Sequence, residues 1–337
     1  MRQKWNHLIK ISMVFVAITI FLLPLNSYAG KTAKDTIRFS DRSWDSIQVH
    51  NRIAGFIIKH GYGLDVEFIP GETTSLLTGL IRGDVDVDME SWTENSQEIF
   101  NKGIKSGKMV DLGSNYPDSW QGWLVPSFVI KGDSKRGIKP MAPGLKSVFD
   151  MPKYWKLFKD PEDPGKGRFY NSIPGWTVTK INEEKFKAYG LDKYFTNFIP
   201  GSDAALSGSM IAAYKKGKPW FGYYWAPTWI LGKLDMTPLE EPPYSEEVWK
   251  KNKACAMMPV RVNITVNVSL LKRAPNVVEF LRNYETTTHL NNKFLAYMQE
   301  TKGSTEDAAR WFLKNNDNLW VKWVPSDVAK KIKAALK

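Results

Sequence analysis

Short apolar strands alternate with helical patterns over the first third of the chain, and this order constrains the fold most. Residues 36–40 (TIRFS), 65–70 (DVEFIP) and 84–92 (DVDVDMESW) have strand patterns. Each is followed by a helical pattern, at residues 45–60, 73–82 and 94–105. A repeated strand–helix order predicts an α/β fold, in which a parallel sheet is covered by helices on both faces.

The middle of the chain is richer in proline and glycine, as in KPMAPG and KDPEDPGKGRFYN, before the alternation resumes. Helices are predicted at residues 183–189 and from Ser202 to Lys215, and a strand at WFGYYW (220–225). Two apolar strands, WLVPSFVI (123–130) and residues 260–268, bracket this section. We therefore expect two α/β lobes joined by two crossing strands, with a ligand cleft between them. Lobe 1 comprises residues 30–125 and 262–337, and lobe 2 residues 126–261.

The first 29 residues have the pattern of a secretory signal peptide. Arg2, Lys4 and Lys10 precede the apolar run ISMVFVAITIFLLPL, and the small residues Ser27 and Ala29 place the predicted cleavage after Ala29. An uncleaved membrane anchor is the alternative, but the run is short for a span and Pro24 interrupts its end. The pattern predicts an exported, periplasmic protein.

The charge and the single cysteine exclude several classes of protein. Cys255 is the only cysteine, so an intramolecular disulfide and a cysteine-based metal cluster are excluded. Cleavage of the signal lowers the formal net charge from +12 to +9, because the signal carries three basic and no acidic residues. The lysines are scattered, and export also argues against a nucleic-acid partner. We expect a monomer that binds neither metal nor cofactor.

Tryptophan is abundant, with 14 residues in 337, and four tryptophans occupy equivalent places. Trp44, Trp92, Trp176 and Trp225 each lie where a predicted strand or turn ends and a helix begins. Strand ends meet at one edge of an α/β sheet, so all four side chains can face one cleft, two from each lobe. By contrast, Trp311 and Trp320 lie in helical patterns typical of core residues.

Several indole faces in one cleft suit a quaternary ammonium ligand. Such a group carries a diffuse positive charge and has no N–H donor, so the negative faces of aromatic rings are its natural partners in a dry pocket. The four tryptophans are therefore predicted to form a cage for a small onium compound.

Several segments carry a family resemblance that covers nearly all of the mature chain. They are IRFSDRSWD, DVDVDMESW, WQGWLVP, IPGW and, most specifically, GSDAALSGSMIAAYKKGKPWFGYYWAPTW. The chain resembles the substrate-binding proteins of glycine betaine/choline-type ABC transporters, which are two-lobed, type II-like periplasmic binding proteins. The resemblance implies the same cage, of Trp44, Trp92, Trp176 and Trp225, and an ABC transporter permease as partner. Trp123 and Tyr224 are further candidates, with core packing as the alternative, whereas Trp229 is expected to support the loop behind Trp225.

The sequence departs from the family at Thr228, where a histidine often helps to bind a substrate carboxylate. Backbone amides after Trp44 remain available for a carboxylate, and Arg42 is a possible additional donor. Asp45 and Glu90 are candidates to bind a ligand hydroxyl or to add negative field near an onium group. Ordinary solvated or capping carboxylates are the alternative for both acids.

Two other functions are alternatives to transport. His50, His60 and His289 lack metal-ligand spacing, and the sequence contains no catalytic fingerprint, so an enzyme acting on an onium compound is disfavoured. A ligand-sensing subunit for a membrane receptor remains open, because it would use the same lobe closure. Glycine betaine leads among the ligands on family grounds, with choline, carnitine, proline betaine, trimethylamine oxide and a sulfonium analogue open.

Overall fold

The computed structural model describes residues 36–258 and 260–337. The predicted signal peptide and its cleavage after Ala29 lie outside these residues. No helix in the described ranges is long and apolar enough to cross a membrane.

The first sheet has five strands in the order β2-β1-β3-β10-β4. Strand β1 is parallel to β2 and β3, whereas β10 returns late in the chain and pairs antiparallel with β3 and β4. The first part of the chain supplies most of these elements, which are β1 (Thr36–Asp41), α1 (Asp45–Ile57), β2 (Asp65–Pro70), α2 (Thr73–Arg82), β3 (Val87–Trp92), α3 (Gln97–Lys105) and β4 (Met109–Tyr116). The end of the chain supplies the rest, which are β10 (Val262–Asn267), α10 (Leu270–Arg273), α11 (Pro275–Asn283), α12 (Thr288–Thr301), α13 (Thr305–Asn315), α14 (Asp317–Trp320) and α15 (Ser326–Ala335).

The second sheet also has five strands, in the order β7-β6-β8-β5-β9. Strand β6 is parallel to β7 and β8, and β5 is antiparallel to β8 and β9. Its elements are β5 (Trp120–Pro126), α4 (Ser127–Lys131), α5 (Met151–Tyr154), β6 (Gly167–Tyr170), α6 (Thr177–Ala188), β7 (Phe195–Phe198), α7 (Asp203–Lys215), β8 (Gly222–Ala226), α8 (Trp229–Lys233), β9 (Met236–Pro238) and α9 (Glu246–Lys251). We call the elements built on the two sheets the first and second lobes.

The two mixed sheets, each covered by helices, confirm the predicted α/β class. The chain leaves the first sheet after Tyr116 and enters the second at Trp120, then returns between Pro238 and Val262. The first passage lies a few residues before the predicted boundary at 125/126, because β5 pairs with β8 and β9.

Several element bounds differ from the sequence expectation, and one difference shapes the cleft. The helix predicted at 183–189 begins six residues earlier, at Thr177, so Trp176 becomes its N-cap residue. The predicted strand at 123–130 ends at Pro126, and its second half forms α4. The helix predicted from residue 94 begins at Gln97, after a turn.

The core of each lobe lies between its sheet and the helices that cover it. Strands β3 and β10 are buried along their whole length, because they are inner strands of the first sheet with helices on both faces. This rigid scaffold places the ends of β1, β3, β6 and β8 at the cleft between the lobes.

Candidate functional site

A cavity of about 350 Å³ lies between the lobes, and aromatic side chains form most of its wall. It is lined by all four strand-end tryptophans, Trp44, Trp92, Trp176 and Trp225, together with Thr73, Asn95, Thr177, Val178 and Tyr223. All four tryptophans are buried, and no residue that lines the cavity carries a charge at neutral pH.

Two pairs of indole rings in the cavity wall are nearly perpendicular, and both pairs include Trp176. The ring centroids of Trp44 and Trp176 are 5.3 Å apart with an interplanar angle of 85°. Those of Trp176 and Trp225 are 4.9 Å apart with an angle of 83°. Trp176, from the second lobe, therefore contacts one tryptophan from each lobe. Such edge-to-face contacts are favourable and fix the orientation of the ring faces.

Backbone geometry places the tryptophans at this edge. Trp44 and Trp176 are the N-cap residues of α1 and α6, and each has extended backbone with no side-chain cap hydrogen bond. Gly175 precedes Trp176 with φ +90°, and a Cβ there would lie 2.8 Å from Cβ of Glu72. Only glycine therefore fits where the IPGW turn approaches the first lobe. The uncapped start of α6 lies beside the cavity, where its amides can receive a negative or polar ligand group.

Hydrogen bonds across the cleft hold the two lobes together around the cavity. Trp176 donates its indole N–H to Oε2 of Glu72 at 2.7 Å. The carbonyl oxygen of Gly175 accepts from the backbone N–H and the hydroxyl of Thr74, each at 3.3 Å. Further contacts join Ser96 with Thr177 at 3.0 Å and Asn95 with Gln121 at 2.8 and 3.0 Å. These contacts describe a closed arrangement, in which Trp176 is held by both lobes.

Glu90 lies behind the cage and does not line the cavity. Its Oε2 accepts a hydrogen bond of 2.7 Å from the indole N–H of Trp44, and the residue is fully buried. Burial raises the pKa of Glu90 to about 7, against the opposing effect of hydrogen-bonding groups of Trp44, Ser46, Tyr116 and Trp92. A ligand in the cavity therefore cannot present a hydroxyl directly to this carboxyl group.

Asp45 lines a second cavity of about 340 Å³, whose lining also includes Trp44 and Trp225. Asp203, at the start of α7, lines the same cavity from the second lobe. Burial raises the pKa of Asp45, and burial together with the charges of Asp45 and Glu72 raises that of Asp203 to about 7. The two carboxyl groups make this cavity unfavourable for an anionic ligand group.

Thr228 and Trp229 also line the second cavity rather than the cage. The hydroxyl of Thr228 accepts from the backbone N–H of Leu231 at 3.4 Å and caps α8. Thr228 thus begins this helix.

The structure places Trp123 in the core of the second lobe. Its indole N–H donates to Asn182 of α6 at 2.9 Å, and its ring packs 4.5 Å from that of Phe169. Trp123 lines neither of the two cavities. Tyr224 lines the second cavity and packs against Trp225, with centroids 4.6 Å apart. Arg42 is buried and paired with Asp88.

Sequence reasoning missed several residues at the site. Tyr223 stacks on Trp225 and donates its hydroxyl to Gln121 at 2.9 Å. Asn95, Thr73 and Glu72 reach the site only through the packing of one lobe on the other. The alternation of β8 was a signal for Tyr223, because it shares a strand face with Trp225. Nothing in the local sequence distinguished the other three residues.

Comparison with known proteins identifies the family. Residues 35–315 match the family described as the substrate-binding domain of ABC-type glycine betaine transport systems, and the chain belongs to that family. A trimethylamine N-oxide-binding protein of Pelagibacter ubique is 24% identical over 310 residues, which cover 90% of this chain and 96% of that protein.

Solved structures show the same fold. A choline-binding protein of an ABC transporter, in complex with choline, superposes with a TM-score of 0.73 at 18% identity, covering 90% of this chain and 98% of that one. Lactococcal OpuAC, closed around glycine betaine, superposes with a TM-score of 0.69 at 19% identity, covering 86% of this chain and all of the other. These structures confirm the predicted two-lobed architecture of a periplasmic binding protein.

Proposed function

We propose that this protein captures a small quaternary ammonium compound, or a related methylated onium compound, in the tryptophan cage and delivers it to an ABC transporter permease. The observation that carries the proposal is the uncharged cavity lined by four buried indoles from both lobes. Closure of the lobes completes the cage, because Trp44 and Trp92 belong to the first lobe and Trp176 and Trp225 to the second.

The cage supplies a large part of the free energy needed for micromolar affinity. A desolvated indole face contributes about 2 kcal/mol to binding of a cation, so three or four faces contribute roughly 6–8 kcal/mol. A dissociation constant of about 1 μM corresponds to about 8 kcal/mol net, after the cost of immobilising the ligand. Polar contacts at the other end of the ligand have to supply the difference.

Two features of the site favour different polar ends. The amides at the start of α6, beside the cavity, suit the carboxylate of glycine betaine. Asp45 and Asp203, in the second cavity, suit the hydroxyl of choline. The names of the similar proteins give trimethylamine N-oxide, choline and glycine betaine as their ligands. This supports a methylated onium compound as the ligand of this protein. Glycine betaine leads because the family is described by it.

The finer parts of the proposal follow from the sequence. The signal pattern of residues 1–29 supports export to the periplasm with cleavage after Ala29. The family consists of substrate-binding transport proteins, so we propose a binding protein and not an enzyme. We further propose that it works as a monomer without cofactor or metal.

Calorimetric titration of the mature chain, from Gly30 onward, against glycine betaine and choline tests the proposal. Tight binding of glycine betaine alone would show a carboxylate site that works without histidine at position 228. Binding of choline alone would point to Asp45 and the second cavity. Trimethylamine N-oxide, carnitine, proline betaine and a sulfonium analogue complete the set, and if none of these compounds binds, the proposed function is wrong.

Replacing Trp92 or Trp225 with alanine is expected to weaken onium binding at least tenfold. Each variant loses one desolvated indole face, worth up to about 2 kcal/mol. Calorimetry measures the affinity, and far-ultraviolet circular dichroism checks that the fold is intact. An unchanged affinity in a folded variant would remove that tryptophan from the cage.

Glu72 is expected to strengthen binding by holding Trp176 across the cleft. Glu72→Ala removes the acceptor of the indole hydrogen bond, so the affinity is expected to fall roughly fivefold, for a bond worth about 1 kcal/mol. Glu72→Gln keeps an acceptor oxygen and is the matched control, with affinity within about twofold of wild type. Equal affinities for the two variants would show that the contact does not contribute. Since Glu72 also caps α2, thermal melting is measured for both.

A further inference from the structure

A buried polar cluster lies behind the cage wall, and Glu90 is its centre. One carboxyl oxygen, Oε2, accepts the indole N–H of Trp44, as described above. The other, Oε1, is buried and lies 3.7 Å from Nε2 of His50, which has no hydrogen-bond partner. Polar groups of Ser46, Tyr116 and Trp92 lie close to the carboxyl group, but none forms a hydrogen bond of normal geometry with Oε1. A buried carboxylate with one oxygen unsatisfied is costly unless a positive charge lies nearby.

The groups that face Glu90 provide no such charge. His50, on α1, is neutral, because burial lowers its pKa to about 3. Its Nδ1 lies 2.7 Å from the hydroxyl of Tyr284, and its ring stacks on Tyr116 of β4. Burial raises the pKa of both tyrosines, and the charge of Glu90 adds to this effect. Both hydroxyls therefore also stay neutral.

Among residues 36–258 and 260–337, the cation in contact with Glu90 is Arg42, which already has a partner. Arg42 donates to the backbone carbonyl of Glu90 at 2.8 Å and forms a buried ion pair with Asp88. Asp88 in turn accepts the backbone N–H of Glu90 at 3.3 Å. Arg42 and Asp88 compensate each other, so an ionised Glu90 side chain lacks a counter-charge in the ligand-free protein.

We propose that Glu90 is a positioning residue whose ionised carboxylate, bonded to the indole of Trp44, provides the counter-charge for the cation in the cage, so that ligand binding releases a proton from Glu90. This inference rests on the proposed function. Only one indole separates the carboxylate from the cavity. Glu90 and Trp44 are both buried, where charges interact more strongly than in water. The same hydrogen bond polarises the indole and makes its face more negative towards the ligand.

The sign of the pH dependence follows from the geometry. With its pKa raised to about 7 by burial, Glu90 is partly protonated near neutral pH in the free protein. A bound cation favours the ionised form and lowers this pKa in the complex. Binding is therefore tightest above pH 7 and weakens as the pH falls, by at most tenfold for each pH unit.

The test is calorimetric titration with choline and with glycine betaine at pH 8.5 and 5.5, since neither compound titrates between these values. For the wild type we expect affinity at pH 5.5 to be at least about tenfold weaker than at pH 8.5. Titration at pH 7 in phosphate and in Tris, which differ in ionisation enthalpy, is expected to show release of about half a proton. In Glu90→Gln, which keeps an acceptor for Trp44, both effects should disappear.

Asp203→Asn is the matched control, because Asp203 is the other carboxyl group near the cleft with a pKa of about 7. For glycine betaine, whose carboxylate is assigned to the start of α6, we expect this variant to keep the pH dependence. Loss of the dependence in Asp203→Asn, or its persistence in Glu90→Gln, would overturn the proposal. If Glu90→Gln does not fold, the wild type provides the test, because ligand binding without proton release at pH 7 would also overturn the proposal. Failure to bind at every pH would refute the proposed function and this inference with it.

Discussion

Trp176→Ala is expected to weaken onium binding at least about 100-fold, the largest loss for any single cage residue. The substitution removes one indole face, the edge-to-face contacts with Trp44 and Trp225, and the hydrogen bond to Glu72 across the cleft. One desolvated face and one such hydrogen bond together contribute about 3 kcal/mol. Calorimetric titration of the folded variant measures the loss.

Trp311→Ala is the control for this prediction. Trp311 stacks on Tyr297 with ring centroids 5.0 Å apart, between α12 and α13, and lines no part of the cage. The variant loses an indole of the same size, so its affinity should stay within about twofold of wild type. If folded Trp176→Ala binds within fivefold of wild type, Trp176 is not a wall of the site.

Glu241→Ala is expected to destabilise the protein by about 3–5 kcal/mol, because it leaves a buried lysine without its counter-charge. The ammonium of Lys185, on α6, is fully buried and lies 2.5 Å from Oε1 of Glu241. It also donates to the carbonyl oxygen of Cys255 at 2.6 Å. This pair therefore ties the segment that returns towards β10 to the helix whose N-terminus carries Trp176.

The pH dependence and two further variants test this explanation. Burial lowers the pKa of Lys185 in the folded protein, so the unfolded state binds more protons. The loss of folding stability in Glu241→Ala relative to wild type should therefore shrink as the pH rises. Glu300→Ala removes an exposed carboxylate 3.9 Å from Lys233 and should cost less than about 1 kcal/mol. The double variant Lys185→Met with Glu241→Leu should recover most of the loss. Urea unfolding followed by tryptophan fluorescence measures all four proteins, and equal stability of Glu241→Ala and Glu300→Ala would contradict the account.

That the four tryptophans lie together could be predicted from chain order alone, and all four line one cavity. In an α/β fold the ends of parallel strands share one edge, so Trp44, Trp92 and Trp225 meet there. Trp176 follows a turn before a helix, and its place at the same edge follows from the same order. Local sequence was therefore sufficient for these four positions.

Chain order could not predict how far along a strand each side chain lies from the edge of the cleft. Trp123 shares a strand face with Gln121, yet it lies two residues further from the cleft edge, beneath α6. Glu90 likewise shares a face with Trp92 but lies under Trp44. The contact of Glu72 with Trp176, and the approach of Asp203 to Asp45, depend on how the lobes pack, which no local pattern encodes.

The central claim is that the cage recognises a positive charge and not merely a trimethyl shape. The most direct measurement compares each onium compound with its uncharged-head carbon analogue: choline with 3,3-dimethylbutan-1-ol, and glycine betaine with 3,3-dimethylbutanoate. Each pair has nearly the same size and apolar surface. The onium compound that binds is expected to bind at least about 100-fold more tightly than its carbon analogue, since the indole faces interact with the charge. Equal affinities within a pair would show that the tryptophans provide only an apolar pocket and would contradict the account.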